Sequence, residues 1–127
     1  MIRFLLVCLA GAVGTGIRYL VGVNAPRLFG LSLPYGTLIV NVVGCFIIAL
    51  TLELAATTSL ISQTARVTIA TGLMGGLTTY SAFNYETSTL LRDRDWAAGF
   101  GYLALTLFGC FASGLLGLAL ARRIAGV

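Results

Sequence analysis

The sequence has no histidine and no lysine, and only four acidic residues among 127. The lack of histidine removes the commonest general base and the commonest metal ligand. Charged residues make up 9% of the chain, against about 25% in ordinary soluble domains. With 58% hydrophobic residues and a mean hydropathy of +0.99, a water-soluble fold is excluded. The eight arginines are scattered near the ends of apolar runs rather than gathered in a patch, which argues against a nucleic-acid surface. Cys8, Cys45 and Cys110 are odd in number and far apart. They read as small apolar residues, with no disulfide or metal framework.

What the chain does have is long apolar runs. A helix needs roughly 20 mainly apolar residues to cross a bilayer, and four windows qualify, at about 4–23, 33–54, 65–91 and 97–121. The expectation is a single four-span transmembrane domain over residues 1–127, all α, with almost nothing outside the bilayer. Met1-Ile2-Arg3 and the small residues Ala10-Gly11-Ala12 superficially resemble a signal peptide. The apolar run continues past a signal-peptide core, so it is kept as the first span.

Arg3, Arg66, Arg122 and Arg123 fall on one side of a four-span chain. Arg27, Arg92 and Arg94 fall on the other, with Arg18 joining them if it reaches the interface. Four against three or four leaves almost no positive-inside bias. Insertion in both orientations, giving an antiparallel pair, is the sharper explanation; weak sampling in a short protein is the plainer one.

The first span carries Gly11, Gly14 and Gly16, suited to close helix packing in lipid. Arg18 either snorkels to the headgroups or holds a buried role at a pore mouth. A turn is expected at Asn24-Ala25-Pro26, and Pro34 suits the start of the second span. Asn41 lies near the middle of that span, where an amide facing lipid is disfavoured. It makes an interhelical hydrogen bond or turns its N–H groups toward a conduction path, with Gly44 leaving room beside it. Glu53, near the end of the span, reads as a solvated interfacial carboxylate.

The third window is the centre of the sequence. As one straight helix its 27 residues would reach about 40 Å, beyond the roughly 30 Å hydrocarbon core. It contains GLMGGLTTYSAFNYETST, residues 72–89. Gly75-Gly76 and Thr78-Thr79 point to an interrupted helix, since glycine permits non-helical backbone and threonine bonds to backbone groups. Breaks at mid-membrane depth free polar groups that bind ions. Beyond it, Tyr80 and Phe83 share one face, with Ser81, Asn84 and Glu86 nearby. Such a pair serves packing, or its electropositive ring edges help hold a small dry anion beside the donors of Asn41, Thr79 and Ser81. In the last span Tyr102, Thr106, Cys110 and Ser113 form a stripe at three-to-four-residue steps, either a packing face or a track of hydroxyls.

Taken together, GTLIVNVVG around Asn41, GLMGGLTTYSAF, Arg18 and Tyr102 resemble the Fluc fluoride channels, also called CrcB proteins. The likeness covers essentially the whole chain. It implies a multi-pass protein of a bacterial-type inner (plasma) membrane, built as a dual-topology antiparallel homodimer with two fluoride pores. It also implies a central sodium ion held by backbone carbonyls that map to Gly75 and Thr78. Asn41, Phe83 and Tyr102 match pore residues of the family, while Thr79, Ser81 and Thr106 correspond to hydroxyl positions along the path. Glu86 matches a carboxylate near the pore. Tyr80 departs from the family, which has phenylalanine there, and Ala82 stands where a serine or threonine is expected.

The competing reading is a small multidrug-type exporter, another four-span dual-topology dimer. Such exporters resemble one another in a carboxylate inside the first span, and this chain has none there. A non-transporting assembly subunit would account for the small-residue stripes but not for the Asn41 and Thr-Thr-Tyr cluster. No nucleophile–base pair or metal-ligand set points to an enzyme. The absence of a nucleotide-binding loop or an obvious proton-coupling acid favours passive conduction over pumping.

Overall fold

The computed structural model describes all 127 residues, and every regular element in it is helical. Three helices are long and apolar enough to cross a membrane: α1 (Ile2–Phe29), α2 (Tyr35–Thr57) and α6 (Trp96–Ala125). Between α2 and α6 runs a broken helix. It comprises α3 (Gln63–Val67), a π-helical stretch Thr68–Leu73, α4 (Met74–Leu77) and α5 (Tyr80–Arg92). Only 16 residues are buried, and large apolar side chains such as Leu9, Leu20, Phe108 and Leu116 stand exposed along the helices. In water that surface would aggregate; against lipid tails it is the surface a multi-pass membrane protein needs.

The expected turn at Asn24-Ala25-Pro26 is not there, because α1 continues to Phe29. Pro26 removes only one ladder donor so near the end of the helix, and Asn24 turns its Nδ2–H back onto the Leu20 carbonyl at 2.8 Å. The helix stops instead at Gly30, whose φ of +85° suits glycine and whose N–H returns to the Pro26 carbonyl at 3.0 Å.

The third window is interrupted as expected, but not at its glycines. Gly75 and Gly76 are helical, and the chain becomes extended two residues later, at Thr78 (φ −84°, ψ 155°) and Thr79 (φ −152°, ψ 110°). The glycines are used for proximity. A Cβ on Gly76 would collide with the Gly11 carbonyl of α1, and one on Gly72 would lie 2.7 Å from the Val7 carbonyl. The contacts Val7–Gly72, Gly11–Gly76 and Gly14–Leu77 rise together in number, so α1 and the α3–α4 half run parallel. The break falls at the threonines, whose hydroxyls bond to nearby backbone groups. Thr78 Oγ1 donates to the Met74 carbonyl at 2.9 Å, and Thr79 Oγ1 caps α5 by accepting from the Ala82 N–H at 3.2 Å.

A second parallel pair, α2 with α6, closes the fold. Ser113 Oγ donates to the Val42 carbonyl at 2.7 Å, and Arg122 Nε donates to Glu53 Oε1 at 2.9 Å. Glu53 is therefore not the solvated carboxylate the sequence leads one to expect. It is half-buried in an ion pair that ties the ends of the two helices together.

Candidate functional site

The site grows from the break. In an unbroken helix the Thr79 N–H would bond the Gly75 carbonyl, and the Ala82 N–H would bond that of Thr78. Here Thr79 N–H donates to Asn41 Oδ1 at 2.8 Å, and Ala82 N–H goes to the Thr79 hydroxyl. The carbonyls of Gly75 and Thr78 are thereby left without their helical donors. Asn41 completes the bridge by donating Nδ2–H to the Thr79 carbonyl at 3.1 Å. The interhelical hydrogen bond expected of Asn41 thus exists, and it holds the broken ends in place. One N–H of the amide is engaged; the group has a second. Gly44, one turn further along α2, leaves space that the Thr78 methyl occupies.

Three rings follow the break as a ladder. Tyr80 and Phe83 lie 5.8 Å apart at 59°, and Phe83 and Tyr102 lie 5.5 Å apart at 58°. Tilted pairs at this spacing set ring edges toward ring faces. The ladder runs from the surface inward, with exposures of 78% for Tyr80, 5% for Phe83 and 0% for Tyr102. Its inner end is tied to a carboxylate. Tyr102 donates its hydroxyl to Glu86 Oε2 at 2.8 Å, and Thr37 donates to Glu86 Oε1 at 2.7 Å.

Around the break lies a cavity of about 440 Å³, lined among others by Asn41, Thr78, Thr79, Tyr80, Phe83 and Thr106. No charged side chain lines it. Thr106 is 4% exposed, and its hydroxyl is the one buried side-chain polar atom without a hydrogen-bond partner. Such an orphan costs about 1–3 kcal/mol unless something fills the role of partner. Ser81 is exposed and does not line this cavity; its Oγ lies 3.2 Å from Oγ1 of Thr79, which does. Glu86 and Thr37 face a second cavity of about 310 Å³ with Pro34 and Tyr35. The single chain does not bring Arg18 to either cavity; it stands half-exposed on α1 without an ion pair.

The sequence reading left out Thr37. Its signal was present, since Thr37, Asn41 and Cys45 repeat at four-residue steps on one face of α2. That face confronts the Tyr102, Thr106 and Cys110 stripe of α6. The site is the meeting of two matched stripes on parallel helices, closed at one side by the break.

The sequence also matches known proteins. Residues 5–118 match the family described as CrcB-like protein, Camphor Resistance (CrcB). A protein named fluoride-specific ion channel FluC from Sorangium cellulosum (strain So ce56) is 47% identical over 124 residues, covering 98% of each chain. One of the same name from Anaeromyxobacter dehalogenans is 44% identical over 126 residues, 99% of this chain and all of the relative. Another, from Chloroflexus aurantiacus, is 37% identical over the same length with the same coverage.

Proposed function

This chain belongs to the CrcB-like family, and from that premise we propose that it is a passive, fluoride-selective channel of the inner membrane. The observation that carries the reading is the uncharged cavity at the helix break, where hydroxyl, amide and ring-edge donors converge without a fixed cation. A dehydrated fluoride needs donors strong enough to replace water, yet no charge that would hold it there. Asn41 offers its second N–H, and Thr106 offers a hydroxyl with nothing else to bond. Thr79 lines the cavity with the edges of Tyr80 and Phe83, Ser81 stands exposed next to Thr79, and Tyr102 carries the ring ladder inward behind Phe83. Glu86 orients the Tyr102 hydroxyl and holds Thr37, which keeps the inner end of the ladder fixed. No step requires catalysis or energy input; the membrane potential drives the anion outward, and relief from fluoride toxicity follows.

The working unit in this proposal is an antiparallel homodimer of the four-span domain 1–127, with two pores. Tyr80, Ser81, Asn84, Tyr85 and Ser88 form an exposed, largely polar face on α5. Such a face is poorly suited to lipid and well suited to protein or to a wet path. Near-equal arginine counts on the two sides favour insertion in both directions. A sodium ion fits the break, since the freed carbonyls of Gly75 and Thr78 are hard oxygen donors and Gly75 faces open space. Its charge would hold the facing breaks of two chains together.

The exporter reading is not favoured. α1 has no acid, Glu53 is paired with Arg122, and Glu86 is engaged by Thr37 and Tyr102. The test is efflux from proteoliposomes loaded with fluoride or with chloride. Fluoride efflux with chloride retained is expected; equal rates for both ions, or none for fluoride, would end the proposal.

A further inference from the structure

Cys45 and Cys110 have no part in the conduction scheme, yet the fold brings them together. Each is the third rung of its stripe, Thr37–Asn41–Cys45 on α2 and Tyr102–Thr106–Cys110 on α6. Because the helices run parallel, the rungs meet in order, and the two thiols are neighbours across the seam. The pair lines the cavity at the break and also the groove behind it, beside Ile48 and Gly114. Both cysteines are free. The sequence separates them by the length of two spans, which hid the pair from the expectation of isolated apolar fillers. Cys8 is different, standing alone and exposed on α1.

Two soft donors in an uncharged, apolar setting select narrowly among ions. Zinc asks for three or four protein ligands, and no cluster of three such donors exists in the chain. Thiolates favour soft ions, some of which accept two ligands in a line. The environment adds a condition on charge, because no cationic side chain lines the cavity to balance a net negative complex. A monovalent soft ion held by two thiolates leaves one negative charge in the membrane. A divalent one leaves none: two S–H bonds break, two metal–sulfur bonds form, and two protons pass to the solvent.

We propose that Cys45 and Cys110 form a two-thiol site for a divalent soft metal ion of the mercury(II) type, set in the wall of the cavity beside Thr106. The site stands on the two cysteines lining the same two cavities; its effect on transport rests on the proposed fluoride path. An ion held there narrows the passage next to the orphan hydroxyl and stops conduction.

The experiment uses the full chain, pre-reduced and reconstituted, titrated with mercury(II) chloride. The expected result is one mercury per chain at the tight site, two protons released per ion, and loss of maleimide labelling at both Cys45 and Cys110. Fluoride efflux stops and returns on adding an excess of a small dithiol. Cys45→Ala and Cys110→Ala each weaken binding by about a hundredfold or more, the loss expected when a two-point attachment becomes one-point. Cys8→Ala binds as the unaltered chain does. Independent labelling of the two thiols at saturating mercury, or one proton per ion, would overturn the site; both are read on the unaltered chain and do not depend on a variant folding. Tight binding with the expected stoichiometry but uninterrupted efflux would remove the site from the ion path. A chain that binds mercury as described but moves no fluoride at any stage would instead defeat the channel reading and leave the metal site standing.

Discussion

The two halves of the broken span present different surfaces to what surrounds them. The α3–α4 half is apolar and glycine-bearing, and it lies so close to α1 that Gly72 and Gly76 have no room for a Cβ. The α5 half buries Phe83 and Thr87 against the chain and exposes Tyr80, Ser81, Asn84 and Ser88. One half is an anchor and the other a polar face, and the break is where the first hands over to the second. An interruption in lipid frees backbone groups whose desolvation is penalised. It stays in one place only if one side is clamped and the freed groups find fixed partners. The glycine seam supplies the clamp, and Asn41 with the Thr79 hydroxyl supplies partners for the Thr79 backbone and the Ala82 N–H.

The sharpest way to break this contrast is at the partner. Asn41→Asp exchanges the Nδ2–H donor to the Thr79 carbonyl for a second acceptor and sets a fixed negative charge beside the cavity. At 4 Å and an effective dielectric of 20, two like charges repel by about 4 kcal/mol. That corresponds to roughly three decades in rate, so fluoride efflux should fall to the background leak. Undiminished efflux in Asn41→Asp would take Asn41 out of the mechanism. Next in size is a test of the clamp. Gly76→Val drives a side chain into the Gly11 carbonyl and should lower stability by about 3 kcal/mol, read as loss of the monodisperse peak on heating in detergent. Gly75→Ala, one residue away, points its methyl into open space. A loss as large as that of Gly76→Val would mean that another surface covers Gly75, as the proposed second copy does.

A smaller effect is expected at the inner end of the polar half. Thr37→Val leaves the Glu86 carboxylate with Tyr102 as its one remaining hydroxyl donor. Hydrogen bonds to charged groups contribute about 1.5–3 kcal/mol, and flux should drop by about tenfold. Thr37→Ser, which keeps the hydroxyl, should restore it; a serine variant as slow as the valine one would assign the loss to packing.

How much of this was legible beforehand depended on the range of the interaction. The long apolar runs declare themselves, since bilayer thickness sets their length. The interruption was legible from Thr78 and Thr79, whose side chains compete for backbone bonds. The part assigned to Gly75-Gly76 was not legible, because glycine carries two meanings, backbone freedom and close approach, and only the position of α1 shows which applies. The turn expected at Asn24–Pro26 is absent because Pro26 lies within the last turn of α1, where one missing N–H does not stop the helix before Phe29. The link between Thr37, Glu86 and Tyr102 joins three separate helices and left no trace in any one window. Nor did the meeting of Cys45 with Cys110, although each stripe by itself was visible.

The smallest expected effect is at the outermost ring, and it separates rate from stability. Tyr80 is 78% exposed, and its hydroxyl has no hydrogen-bond partner within the chain. Tyr80→Phe should therefore change stability by no more than about 0.5 kcal/mol. The ring edge and its tilt against Phe83 do not depend on the hydroxyl, so the ladder persists. What the oxygen adds is a donor where the anion first meets the rings. A donor there deepens the resting place of the ion, and fast conduction requires that binding remain weak enough for the ion to leave. Removing it should raise fluoride efflux by about threefold, equivalent to about 0.6 kcal/mol of barrier. A tyrosine channel that runs as fast as its phenylalanine variant, or faster, would show that the hydroxyl lies off the path. The polar face of α5 would then begin at Ser81 rather than at Tyr80.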